Sequence, residues 1–234
     1  MNASTARSPR CYAIVPAAGV GERSGAGQPK QYVTVAGQPM LAHALAALAA
    51  VPRIVQTLVV LSPADERFEA ALPGYAGWLA RVGGASRAES VLGGLAELRR
   101  RGALDDDWVL VHDAARCLLQ PEWVEALIDA CDHDAVGGLL AQPVADTLKV
   151  GDAAGRVTAT VDRRDKWVAQ TPQMFRLALV ERALTAMGAA ATDEASAVER
   201  LGLSPRLVKA SVANLKVTWP EDFALAERLL LTRG

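Results

Sequence analysis

Continuous apolar runs alternate along this chain with stretches whose apolar positions recur every three or four residues. Runs at 11–16, 54–62, 78–82, 107–111 and 135–141 read as strands, and the β-branched richness of 54–62 suits a strand buried on both faces. Helical patterns fall between them at 39–50, 65–71, 87–101 and 121–132. Buried strands separated by helices predict an α/β fold with a mostly parallel twisted sheet covered by helices on both faces. Such sheets take ligands beyond the carboxyl ends of their strands. The loop after the first strand, Gly83-Gly84 after the third and Asp113 after the fourth therefore belong to one edge.

The alternation breaks after Ala141. Residues 143–162 read as two short extended pieces, at 147–150 and 156–161, joined by a turn at 151–155. A two-stranded ribbon buries too little surface to be stable alone, so this arm must pack on something. Helices return at 176–187, 192–201 and 220–231, with short strands near 206–209 and 214–218, the second carrying Lys216. No repeat, low-complexity linker or second domain is evident, so one domain over 1–234 is expected, with a polar tail before the first strand and no fused partner beyond Gly234.

Composition narrows the function classes. No apolar run approaches the roughly 20 residues of a membrane helix, and a net charge of −1 gives no reason to expect nucleic acid. Cys11, Cys117 and Cys131 show neither metal spacing nor a disulfide framework, which predicts a cytoplasmic location. His43, His112 and His133 are scattered and suggest no zinc site.

The chemistry concentrates in Pro16-Ala17-Ala18-Gly19-Val20-Gly21-Glu22-Arg23 and in Pro29-Lys30-Gln31-Tyr32. Small residues let backbone N–H groups approach an anion, and Arg23 and Lys30 add two cations. A nucleoside triphosphate asks for that combination. Only five of the 25 basic residues are lysines, so one inside a Gly-rich loop stands out. Lys30 lies between Pro29 and Gln31, which excludes a P-loop, and Ser24 with no acid ending a following strand argues against a dinucleotide fingerprint. A tight strand-to-helix turn with incidental charges is the remaining alternative.

Further strings occur in order: Gly83-Gly84 with Arg87-Ala88-Glu89-Ser90-Val91, Val111-His112-Asp113-Ala114-Ala115-Arg116, Pro143-Val144-Ala145-Asp146-Thr147, Thr160-Val161-Asp162-Arg163, Thr171-Pro172-Gln173, Thr192-Asp193-Glu194-Ala195-Ser196, and Lys216-Val217-Thr218. The ordered set resembles the 2-C-methyl-D-erythritol 4-phosphate cytidylyltransferases over almost the whole chain. The resemblance implies a Rossmann-like nucleotidyltransferase fold and transfer of CMP from CTP to a sugar-alcohol phosphate, with loss of pyrophosphate, in isoprenoid precursor synthesis. It implies Mg²⁺ held mainly by the CTP phosphates, and a homodimer built by exchange of the arm. Arg23 and Lys30 would then stabilise the transition state, while Arg163 and Lys216 position the attacking phosphate. CTP would meet Pro16, Ala17, Ala18, Gly19, Gly21, Gly84, Ser90 and Asp113. The acceptor would meet Asp113, Arg116, Thr147, Thr171 and Thr192.

For Arg163 the alternative is a solvated charge, for Lys216 an edge-strand gatekeeper, and for Asp113 a turn former. His112 reads as structural. Three departures stand out from the resembled pattern. Cys117 replaces a proline and is expected to expose a thiol near the site. Ala85 and Ser86 replace acids, and Trp219 replaces an arginine. A cytidylyltransferase for another polyol phosphate, such as ribitol 5-phosphate, and a non-catalytic nucleotide sensor remain as alternatives.

Overall fold

The computed structural model describes residues 7–19 and 27–233. The first apolar run forms strand β1, Cys11–Pro16. A two-residue hairpin follows, β2 at Thr34–Val35 and β3 at Gln38–Pro39, and then helix α1, Met40–Ala49. Strand β4 spans Ile54–Val60, the single turn α2 spans Phe68–Ala71, and β5 spans Trp78–Ala80. Next come α3 at Arg87–Arg100, β6 at Trp108–Val111, α4 at Pro121–Cys131 and β7 at Gly137–Pro143. The ribbon strands are β8, Leu148–Gly151, and β9, Val157–Val161. The chain continues with β10 at Trp167–Arg176, α5 at Leu177–Met187, α6 at Glu194–Arg200, β11 at Arg206–Lys209 and α7 at Pro220–Leu231.

Seven strands make one sheet in the order β11-β7-β10-β6-β1-β4-β5. Neighbours are parallel except at β10, which runs antiparallel to both β6 and β7. The period-2 alternation of a strand divides β1 between two cores. Cys11, Ala13 and Val15 face the layer containing Leu41, Leu48 and Leu127, from α1 and α4. Tyr12 and Ile14 face Val91, Leu95, Val180 and Leu184, from α3 and α5. A continuous apolar strand buried on both sides follows from that arrangement. A smaller cluster, Met40, Cys117, Leu118, Val217 and Ala226, seats α7 beside the loop after β6. No helix among the described residues is long and apolar enough to cross a membrane.

Two expectations change, and one strand was not foreseen. The segment 214–218 is not a strand: it is an irregular connection pinned where Val217 N donates to the Ala115 carbonyl at 2.9 Å. The helical pattern at 65–71 reduces to one turn, because Asp65 uses its carboxylate to accept from Arg67 N and Phe68 N. Strand β10 carries no apolar run that would predict it. Its central Gln170, Thr171 and Gln173 are polar yet buried, and their side chains are occupied by hydrogen bonds. The ribbon forms where expected; among the described residues β8 and β9 pair only with each other, and most of their residues are exposed.

Candidate active site

The carboxyl ends of β1, β5 and β6 border a cleft of about 460 Å³ whose lining includes Ala18, Lys30, Gly84, Arg87, Asp113 and Lys216. The loop leaving β1 keeps to the sheet at first, since Ala17 N donates to the Val60 carbonyl at 2.8 Å. Buried Gln31 then donates to the Ala17 carbonyl at 2.8 Å, tying the turn at Lys30–Tyr32 to the base of that loop. Lys30 is thereby carried into the cleft, where its Nζ donates to the Val217 carbonyl at 3.1 Å. Gly83 lies against Ala18 and the Leu61 carbonyl so closely that a Cβ would clash with both. A glycine is required for the loops after β1 and β5 to meet.

Ser86 starts α3. Its hydroxyl accepts from Glu89 N at 3.1 Å, and the Glu89 carboxylate in turn accepts from Ser86 N, closing a capping box. Ser90 accepts from Gly84 N at 3.2 Å and donates to the Ser86 carbonyl at 3.0 Å, so its hydroxyl shapes the glycine loop.

The polar centre is Asp113, one residue beyond buried His112 at the end of β6. Arg87 Nε donates to one of its carboxylate oxygens at 2.9 Å, and Lys216 Nζ lies 2.7 Å from the other. Arg87 continues to Glu194, donating at 2.6 and 3.0 Å to its two oxygens. Burial would raise the Asp113 pKa, but the Arg87 and Lys216 charges outweigh it and hold the carboxyl well below the usual range. Burial opposes the charge of Arg87, yet Glu194 and Asp113 raise its pKa further. The Asp113 main chain is fixed too, its N–H donating to Thr171 Oγ1 at 3.0 Å. Arg87 and Glu194 were not singled out as site residues from the sequence, although both stand inside the quoted strings. Their charged side chains within small-residue segments were the available signal.

His112 has its Nδ1 3.0 Å from Thr171 Oγ1 and its Nε2 3.2 Å from the Arg116 carbonyl. Burial pushes its pKa down to about 4, despite the opposing charge of Asp113. Between that value and the unperturbed 6.5, the unfolded chain binds the proton and the folded chain does not. The contribution is therefore fully present above pH 6.5 and is lost as pH falls toward about 4. Urea midpoints should drop across that window, and His112→Asn should flatten the drop. An unchanged pH dependence in the variant would refute the assignment.

The remaining predicted residues separate into groups. Pro16, Ala17, Ala18, Gly19, Lys30, Gly84, Ser90, Asp113 and Lys216 line the cleft together. Arg23 and Gly21 lie outside the described residues. Arg116 turns away from the cleft: its buried guanidinium donates to the Asn214 carbonyl at 2.6 Å and the Ala169 carbonyl at 3.3 Å, cross-linking three segments. Thr171 is likewise buried and occupied by His112 and Asp113. Arg116 is thus spent on backbone carbonyls, and Thr171 holds the Asp113 main chain. Thr192 is exposed and donates to Ser196 Oγ at 3.1 Å, near the start of α6. Thr147 and Arg163 are exposed at the base of the ribbon, where Arg163 donates to the Ala145 carbonyl, and neither lines this cleft. Cys117 is buried rather than exposed, and burial pushes its thiol up to about 11, so no reactive thiol faces the site. Trp219 is half exposed just before α7, its N–H donating to Asp222 at 2.8 Å.

The family model described as 2-C-methyl-D-erythritol 4-phosphate cytidylyltransferase (IspD) matches residues 11–232. The bifunctional enzyme IspD/IspF of Albidiferax ferrireducens is 56% identical over 228 residues, or 97% of this chain, which spans only 54% of that relative's length. The 2-C-methyl-D-erythritol 4-phosphate cytidylyltransferase of Laribacter hongkongensis is 53% identical over 232 residues, covering 94% of this chain and 96% of the relative. A crystal structure of 4-diphosphocytidyl-2C-methyl-D-erythritol synthase matches with a TM-score of 0.86 at 40% identity, covering 96% of this chain and 100% of that one. A seven-stranded sheet with this cleft at its carboxyl edge, and a match along nearly the whole sequence, make the chain a member of the 2-C-methyl-D-erythritol 4-phosphate cytidylyltransferase family.

Proposed function

We propose that this chain transfers CMP from CTP to 2-C-methyl-D-erythritol 4-phosphate, giving 4-diphosphocytidyl-2-C-methyl-D-erythritol and pyrophosphate. The observation that carries the reading is that Lys30 shares one cleft at the carboxyl edge of the sheet with Arg87 and Lys216, which both hold Asp113. In the reaction an oxygen of the acceptor phosphate bonds to the α-phosphorus, and the bond from that phosphorus to the bridging oxygen of pyrophosphate breaks. The electron pair leaves with pyrophosphate. The attacking oxygen is already anionic near neutral pH, so no strong general base is required. The protein's task is to bring two anions together and to stabilise added charge on the transferred group.

Lys30, with Arg23, would meet the α-phosphate and the leaving pyrophosphate. Lys216 and Arg163 would hold the acceptor phosphate. Backbone groups near Ala17, Ala18 and Gly84 would read cytosine: a carbonyl facing its N4 amino group rejects uracil, which would leave two acceptors opposed. Among the described residues Asp113 is the one acid lining the cleft, and no group of three His, Cys, Asp or Glu is arranged to hold a metal ion. That donor set fits Mg²⁺ carried chiefly by the triphosphate, with Asp113, whose two oxygens face Arg87 and Lys216, left to contact the substrate. Bound there, Mg²⁺ would neutralise phosphate charge. The three cysteines, buried and unpaired, suit a reducing, cytoplasmic setting.

The ribbon would pack on a second copy. Val150 and Val157 expose 45% and 63% of their surface on it, and an isolated two-stranded sheet is at best marginally stable in water. Such packing would bring one subunit's Arg163 and Thr147 to the other subunit's cleft.

A pyrophosphate-release assay tests the reading directly. Turnover is expected with CTP, a divalent cation and methylerythritol phosphate, and should be much poorer with UTP. Robust turnover with ribitol 5-phosphate and none with methylerythritol phosphate would overturn the acceptor. Nucleotide binding without turnover on any polyol phosphate would overturn the enzyme.

A further inference from the structure

Glu194 has a fully buried side chain, with none of its surface exposed, and it does not line the cleft. Its two oxygens are taken by Arg87, whose Nε continues to Asp113. The four charges Glu194, Arg87, Asp113 and Lys216 form one chain that starts in the interior and opens into the cleft. Stability alone is a poor reason for such a chain. Desolvating buried ions is costly, and apolar replacements of equal volume are often as stable. The inner end is also fixed in place. Gln173 on β10 accepts from Ala195 N at 2.7 Å and donates to Asp193 at 2.8 Å, clamping the start of α6 to the sheet. Two residues earlier on the same strand, Thr171 holds the Asp113 main chain. Strand β10 therefore sets both the backbone of Asp113 and the post to which its side-chain partner is tied.

We infer that Glu194 is a positioning residue, acting through Arg87 to hold the Asp113 carboxylate in one orientation for the nucleotide. The inference rests on the reading of the cleft as a CTP site. Asp113 alone can rotate about its two side-chain bonds. A guanidinium held on both oxygens of a buried carboxylate has a planar, fixed fork and presents its Nε–H in one direction. Lys in place of Arg87 would keep the charge but could not span both acids with this geometry.

The test is a double-mutant cycle read by calorimetric titration of CTP with Mg²⁺, carried to millimolar nucleotide, on the full chain. Glu194→Gln, nearly the same shape, should weaken CTP binding about tenfold in the wild-type background and less than about twofold in Asp113→Asn, because the effect passes through Asp113. Should Glu194→Gln fail to fold, Arg87→Lys runs the same cycle with the same expectation. Glu194→Gln binding CTP like wild type, with only a lower melting temperature, would overturn the inference and leave the functional reading intact. An equal loss in both backgrounds would overturn it as well, since Glu194 would then act by another route. Wild-type protein that does not bind CTP would overturn the functional reading, and the inference with it.

Discussion

Lys30→Ala should lower kcat about a hundredfold at saturating CTP, with melting temperature little changed. Removing one preorganised donor from a charged transition state costs roughly 3 kcal/mol, which corresponds to that factor. Lys30 follows Pro29 in a short turn, and its neighbours Gln31 and Tyr32, not Lys30 itself, are the buried anchors. Gln31 holds the Ala17 carbonyl and Tyr32 donates to Asp65 at 2.7 Å. Truncating Lys30 leaves both anchors in place, so the turn and the cleft should persist. Single-turnover measurement of pyrophosphate release separates chemistry from binding. A variant with near wild-type kcat would show that Lys30 does not meet the reacting phosphates.

Mixing two inactive variants, Lys30→Ala and Arg163→Ala, should restore activity if the arm is shared between subunits. Each homodimer would lack one required cation at both of its sites. A mixed dimer would combine both defects in one site and leave the other intact. Random exchange makes half the dimers mixed, so about a quarter of wild-type activity is expected. The reason to expect sharing is geometric: Arg163 and Thr147 sit at the foot of an exposed ribbon and do not line the cleft of their own chain. Exchange can be verified by mass tagging of the two variants. No recovered activity under verified exchange would mean that each chain supplies its own Arg163.

Much of the sheet was legible because fully buried strands are nearly all apolar. Tyr12 to Val15 and Leu58 to Val60 leave little other reading. The cleft could be placed for the same reason, since loops after parallel strands share an edge. Strand β10 was not legible. Its inner residues are polar, and their burial is repaid by side-chain hydrogen bonds to partners far away in sequence, such as Gln173 to Asp193 and Asn214 to the Thr171 carbonyl. Hydrophobic pattern cannot report a strand stabilised that way. Segment 214–218 misled in the opposite sense. Its apolar Val217 is buried in the cluster under α7, while the backbone around it pairs with no strand among the described residues.

At the candidate site, residue identities placed small loops and cations in chain order but not the contacts each of them makes. Local sequence determined which loops are small enough to receive an anion, where cations stand in chain order, and where the helical alternation breaks into a ribbon. Only the tertiary structure decided that Arg116 is spent on backbone carbonyls, that Thr171 is held between Asp113 N and His112, and that Cys117 is sealed inside. It alone joined Glu194, Arg87, Asp113 and Lys216, which lie on four different elements or connections, into one chain. The physical reason is range. Strand and turn preferences act over a few neighbouring residues. The partner of a charge, and the water it loses on burial, depend on segments that folding brings together across 26 to 107 positions of sequence.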